Sequence, residues 1–199
     1  MQKRIVVDAD GVLLDYRASY PKVWLKAFGR ELKVVTPNSY HAHVQYGLDI
    51  PNDEALTTTF FSHFDEEVWQ TLPECPGAVL ACQQLHKAGF ELVCVTAMPP
   101  KFAKARLFNL RTLGFPIDQV IATGRVEGLN PKLAALTQLN PIAFVDDLGA
   151  NFVDIPRTIH KALIECGHHD SPNTQEHKIT ADSVHQNLAG FAHYWLNHR

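Results

Sequence analysis

The sequence predicts an α/β fold, a parallel sheet of about five strands with helices on both faces, plus a small helical insert. Two observations carry this. From residue 75 onward, short apolar and β-branched runs alternate with segments of helical spacing, the pattern of a parallel sheet covered by helices. Between residues 16 and 74 the alternation stops and only helical spacing is found. A chain of 199 residues with 46% hydrophobic composition can fill one large domain, or one domain carrying an insert.

The elements follow in order. Arg4 to Val7 reads as a buried strand that runs into Asp8 and Asp10, where Gly11 lets the backbone turn. Tyr20, Trp24, Ala27 and Phe28 fall at helical spacing. Thr36-Pro37 can start a second helix that Gly47 stops, and Asn52 can cap a third with Leu56, Phe60 and Phe64 on one face. After Pro76-Gly77, Ala78, Ala81, Cys82, Leu85 and Ala88 line a helix that Gly89 closes. Phe90 to Val95 is a strand ending at Thr96. Pro99-Pro100 opens a helix with Ala103, Leu107, Leu110 and Leu113 inward, ended by Gly114. Gln119 to Ala122 is a short strand, and Asn130-Pro131 starts a helix with Asn as cap and Pro in the first turn. Ile142 to Val145 is a strand ending at Asp146-Asp147, and Lys161 to Glu165 is a last strand. Gly167 to Thr180 reads as a polar loop, and Val184 to Leu196 as the closing helix. The expected division is 1–15 with 75–199 as a sheet-bearing core, and 16–74 as a helical cap.

A net charge of −3 advertises no basic face for nucleic acid, and no apolar run is long enough to span a bilayer. A strand at the N-terminus leaves no room for a signal peptide. Cys75, Cys82, Cys94 and Cys166 show no Cys-X-X-Cys spacing, so free thiols in a cytoplasmic protein are expected.

Four polar positions stand at strand ends or a helix start: Asp8/Asp10, Thr96, Lys132 and Asp146/Asp147. Ligands of open α/β sheets bind at the carboxyl ends of strands. Each position alone also fits a turn, a cap or a solvated side chain. Together they suit phosphoryl transfer, which needs a nucleophile, charge neutralisation and a proton for the leaving oxygen. Asp8 can attack phosphorus, and Asp10 can protonate the leaving group and then deprotonate water. Mg²⁺ would let two carboxylates and a phosphate coexist, held by Asp8, the Asp10 carbonyl and one acid of Asp146/Asp147. Thr96 can donate to phosphoryl oxygens, and Lys132 adds positive charge near a helix N-terminus.

These residues resemble the motifs of the haloacid dehalogenase superfamily of phosphohydrolases. Asp8-Ala9-Asp10-Gly11-Val12-Leu13 resembles its first motif, and Leu92-Val93-Cys94-Val95-Thr96 its second. Lys132 falls where the third motif has Lys, and Phe144-Val145-Asp146-Asp147 resembles the Asp-Asp form of the fourth. The resemblance implies a Rossmann-like core, a helical cap between motifs one and two, and a Mg²⁺-dependent phosphatase with Asp8 as nucleophile and Asp10 as acid/base. Its partner would be a small phosphorylated metabolite. The fourth motif often reads Gly-Asp with a further Asp downstream. Here Asp146 replaces the Gly and Asn151 takes the downstream place. Of the pair, Asp147 is expected to touch the metal, with Asp146 behind it.

Other chemistries share parts of this pattern. Receiver domains use acids, Thr and Lys, but their acidic pair comes first, whereas here it comes last. Dehalogenases of the same superfamily attack carbon and need neither Mg²⁺ nor the second Asp of motif one, so Asp10 favours phosphate. A phosphonate-cleaving relative would want a cap Lys, for which Lys22, Lys26 and Lys33 are present, and an inactive phosphate-binding relative would lack Asp8 or Asp10. Of the cap residues, Arg17, Trp24, Arg30, Tyr40, His41 and Tyr46 could face the site. His168, His169 and His177 share a loop with Asp170 that reads as solvated.

Overall fold

In a computed structural model, described for residues 3–50, 52–125 and 130–198, the alternation produces one parallel six-stranded sheet. Its strands are β1 (Lys3–Val7), β2 (Phe90–Thr96), β3 (Ile117–Ala122), β4 (Ala143–Asp146), β5 (His160–Ile164) and β6 (Ser183–His185). They lie in the order β3-β2-β1-β4-β5-β6, all pairs parallel. The order reverses at β1, so the carboxyl ends of β1 and its neighbours open on a crevice, the usual ligand position of such sheets.

Helices α1 (Ser19–Phe28), α2 (Ala42–Gln45), α3 (Glu54–Ser62) and α4 (Glu66–Gln70) occupy the stretch between β1 and the next core helix. α5 (Ala78–Lys87), α6 (Ala103–Leu113), α7 (Leu133–Leu139), α8 (Gln175–Thr180) and α9 (Leu188–His198) accompany the sheet. The alternating inward residues of β1 divide the apolar interior. Ile5 and Val7 join a cluster with α5 and α9, whereas Val6 joins Val93, Leu136, Phe144 and Leu163 on the other face. The first cluster continues into residues 16–74 without a break, through Tyr20, Trp24, Phe60, Phe64 and Trp69. Tyr20 and Phe60 meet there with ring centroids 4.9 Å apart.

That stretch is anchored where it leaves and rejoins the sheet-bearing part. Leu13, Leu14 and Asp15 run beside Pro73, Glu74 and Cys75, with Cys75 N–H donating to Leu13 O at 2.8 Å and Asp15 N–H to Pro73 O at 2.9 Å.

Several boundaries differ from the expectation. A sixth strand, Ser183–His185, occupies the start of the expected closing helix, which begins at Leu188 instead. A three-residue strand is too short to show alternation, and its pairing with β5 decides its state. The expected loop 167–180 contains α8, whose Thr174 side chain caps His177 N–H while His177 reaches back. The second insert helix is confined to Ala42–Gln45, and Asp53, not Asn52, caps α3 through Leu56 N–H. Asn130 holds Lys132 N–H from a turn just before α7, so Lys132 itself occupies the cap position. The buried face of α6 is Ala105, Arg106, Asn109 and Leu110, with Leu107 and Leu113 only half-buried.

Among the described residues no helix is long and apolar enough to cross a membrane. The four cysteines are free, Cys82 and Cys94 buried and Cys166 exposed.

Candidate active site

The register of the central strands brings the acids together. Val7 pairs with Val145, which sets Asp8 level with Asp146 on the adjacent strand, and Asp8 N–H donates to Val145 O at 2.9 Å. Pairing of Val7 with Cys94 carries Thr96 to the same carboxyl edge, where it is buried.

Lys132 reaches this edge from the start of α7. Its side chain is 1% exposed, and Nζ lies 2.7 Å from Asp8 Oδ1 and 2.6 Å from Asp146 Oδ2. Asp8 Oδ1 also accepts the Ala9 N–H at 2.7 Å, which leaves Oδ2 without these partners. Asp146 is held on both oxygens. Leu148 N–H donates to Oδ1 at 2.8 Å, and Asn151 Nδ2 lies 3.0 Å from each oxygen.

Asp147 sits against the turn after β1. Gly11 has φ +83°, and a Cβ there would lie 2.7 Å from Asp147 Cγ and closer still to its Oδ2. Gly11 is therefore needed twice, for the left-handed backbone and for the space the carboxylate takes. One carboxylate oxygen from each of Asp8, Asp146 and Asp147 lie within 4.8 Å of one another. Asp10 stands apart from that trio, its Oδ1 held by Arg106 Nη2 at 2.7 Å.

The crowding shows in the protonation balance. Burial pushes the Asp8 carboxyl up to about 7. Lys132 pulls it down, and the Asp146 and Asp10 charges add to the rise. Burial, then Asp146 and Asp8, hold Asp147 well above the usual carboxylate range, against the opposing Lys132 charge and the Tyr40 hydroxyl. For Lys132, burial alone would lower the ammonium, but Asp146 and Asp8 outweigh it and raise it above the usual lysine range. A single ammonium does not neutralise all the acids gathered here, and their oxygens converge closely enough that the group could hold a metal ion. The donor set is all carboxylate, the chemistry of a hard divalent ion.

A cavity of about 280 Å³ opens beside Asp147 and Gly11, lined also by Arg17, Tyr40, Glu165 and Asn173. Of the insert residues expected to face the site, Arg17 and Tyr40 line this cavity, whereas Trp24 and Tyr46 are buried in the insert's aromatic core and Arg30 is exposed. His168 and His169 accompany Asn38, and His177 serves its own helix cap. Sequence reasoning missed Arg106. Its signal was a charged residue on the inward face of a helix, one turn before Leu110.

The matches agree with this geometry. The family model of haloacid dehalogenase-like hydrolases matches residues 2–150. No curated protein matches the chain. Similar solved structures include a haloacid dehalogenase-like family hydrolase from Streptococcus pneumoniae, at TM-score 0.64 and 15% identity, covering 97% of this chain and 98% of that one. An L-2-haloacid dehalogenase from Xanthobacter autotrophicus matches at TM-score 0.64 and 14% identity over 100% of both chains. A family hydrolase from Deinococcus radiodurans R1 with bound phosphate and sodium matches at TM-score 0.60 and 14% identity, covering 95% of this chain and 93% of that one. With the family match spanning the strands that end at Asp8, Thr96 and the Asp146-Asp147 pair and the start of α7 that carries Lys132, the chain belongs to the haloacid dehalogenase-like hydrolases.

Proposed function

We propose that the protein is a Mg²⁺-dependent phosphohydrolase acting on a small phosphate monoester, with Asp8 as nucleophile and Asp10 as the proton-transferring group. The observation that carries this reading is the second acid of the first motif. Asp10 is held in place by an ion pair while its side chain stays 29% exposed at the crevice, which suits an acid that protonates a leaving oxygen, a proton that a departing halide does not need. Residues 16–74 are read as the cap and 1–15 with 75–199 as the catalytic core.

Asp8 and Asp147 would hold the Mg²⁺ with the Asp10 carbonyl, and Asp146 would sit behind them. Asp146 already receives hydrogen bonds on both oxygens. Bound there, the cation would neutralise the acids and the phosphoryl oxygens. Asp8 Oδ1 is fixed by Ala9 N–H and Lys132, so Oδ2 is the attacking atom. A bond forms from Oδ2 to phosphorus as the bond to the leaving oxygen breaks, and Asp10 gives that oxygen its proton. Water then attacks the phosphorus of the aspartyl phosphate, Asp10 takes a proton from it, and inorganic phosphate leaves with Asp8 restored. Lys132 and Thr96 stabilise the charge on the phosphoryl group.

The test is hydrolysis of an aryl phosphate by the parent and by Asp8→Asn in the presence of Mg²⁺. The substitution keeps size and removes the nucleophilic charge, so a folded variant should lose turnover. Hydrolysis at the parent rate in Asp8→Asn would overturn the mechanism.

A further inference from the structure

We propose that Arg106 is the positioning residue for Asp10, and that it decides how well the enzyme handles esters whose leaving oxygen needs a proton. The inference rests on the phosphate-ester reading above. Arg106 lies on α6, and its side chain is fully buried. Among the described residues its one side-chain hydrogen bond goes to Asp10, from Nη2 to Oδ1 at 2.7 Å. The guanidinium lies over the ring of Trp69, 5.0 Å from its centroid. Nε and Nη1 have no hydrogen-bond partner among the described residues, although both are buried.

A buried guanidinium with two idle donors is a poor way to stabilise a fold. Desolvating the charge is expensive, each unmade hydrogen bond adds to the cost, and an apolar side chain of similar length would fill the space better. What Arg106 does provide is direction. A single N–H on Oδ1 fixes the carboxylate's rotation and leaves Oδ2 for the proton that travels to and from the substrate.

The same helix also fixes the insert. Asn109, three residues on, donates its Nδ2 to Leu72 O at 3.0 Å, just before the chain returns to the core. Trp69, at the end of α4, completes the contact from the insert side. Thus α6 carries both the group that orients Asp10 and the anchor of the insert's exit. Displacing α4 would remove the surface on which the guanidinium rests.

The consequence is selective. An aryl phosphate has a good leaving group that needs little protonation, whereas an alkyl phosphate depends on it. Arg106→Met keeps an apolar stem against Trp69 and removes the charge. Its kcat/KM should fall about tenfold or less for nitrophenyl phosphate and about a hundredfold or more for an alkyl phosphate. In an Asp10→Asn background the same substitution should leave the alkyl-to-aryl ratio unchanged. Should Arg106→Met not fold, Arg106→Lys, which keeps the buried charge but not the guanidinium fork, carries the same comparison. Equal losses on both esters, or a ratio that still changes in the Asp10→Asn background, would overturn the proposal. If the parent cleaves neither ester, the phosphate reading fails separately. The crystal structure of Arg106→Met then decides the positioning claim: a rotated Asp10 carboxylate supports it and an unmoved one refutes it.

Discussion

Replacing Lys132 by methionine isolates the electrostatics of the site from its chemistry. Methionine matches the length of the stem, so little cavity is opened. What disappears is an ammonium 2.7 Å from Asp8 and 2.6 Å from Asp146, in a place where the three side chains are 1%, 10% and 0% exposed. Removing one member of a buried charge group costs about 3–5 kcal/mol, a large part of the stability of an ordinary domain. Asp146 retains Asn151 and Leu148 as donors, and Asp8 can escape by taking a proton. The loss therefore depends on pH. The Asp8 carboxyl is raised from 3.8 to about 7 in the folded parent. Between those values the native state keeps a proton that the unfolded chain has released, so stability falls as pH rises through that window. Without Lys132 the window moves further up. The difference between variant and parent should thus approach 3–5 kcal/mol at about pH 8 and shrink by ~1–3 kcal/mol at about pH 5. Urea denaturation followed by circular dichroism, with chelator present, measures both. Added Mg²⁺ should recover part of the loss at the higher pH. A cost under about 1 kcal/mol at the higher pH, or the same cost at both, would refute the assignment of Lys132 as the counter-ion of this cluster.

Gly11→Ala should cost about 1–2 kcal/mol from its left-handed φ and, by displacing the Asp147 carboxylate, weaken Mg²⁺ binding more than tenfold by calorimetry. Asp147→Ala should abolish Mg²⁺ binding with little loss of stability. Asp146→Ala should chiefly destabilise, by about 3 kcal/mol in urea, because it takes one of the two carboxylates from Lys132 and the acceptor from Leu148 N–H and Asn151, and the reverse pattern would move the metal contact to Asp146. For Asp170, burial works against ionisation, but the Ser39 hydroxyl and the Tyr40 N–H outweigh it and hold the carboxyl down at about 2. Its contribution is present above about pH 4 and is lost as pH falls toward 2, so Asp170→Asn should be less stable by about 1 kcal/mol at neutral pH and converge with the parent in acid titration.

The sheet was legible because each central strand is a continuous apolar run bounded by Gly, Pro or Asp, and the ends of β1 and β4 announce their acids directly. Lys132 was legible from its place after Asn130-Pro131. The difference between Asp146 and Asp147 was not. Nothing in two adjacent identical residues says which will meet Lys132, Asn151 and Leu148 N–H, and only the pleat of β4 and the turn after it decide. Arg106 was hidden for a related reason. Helical spacing picked out Ala103, Leu107, Leu110 and Leu113 as the inward face of α6, of which only Leu110 is fully buried, and it could not show that a charged residue would find Asp10 across a sequence gap of ninety-six positions. α8 escaped because its capping pair is Thr174 with His177, where the usual signature has an acid or amide.

The paired entry and exit of residues 16–74 has a consequence for the evolution and engineering of this chain. Because residues 13–15 run beside 73–75, the ends of the excursion are already joined by backbone hydrogen bonds. A long excursion with pinned ends adds little closure entropy, so such a position accepts insertions of very different length. Yet the apolar side chains of the excursion are continuous with those beneath the sheet. Excised as a fragment, it would expose half of a shared interior and should not fold. Deleted and replaced by a short turn, it would leave the face of α6 that α4 covers open to water. The junction is permissive as topology and demanding as packing: a transplant here succeeds only if the newcomer brings its own cover for that floor.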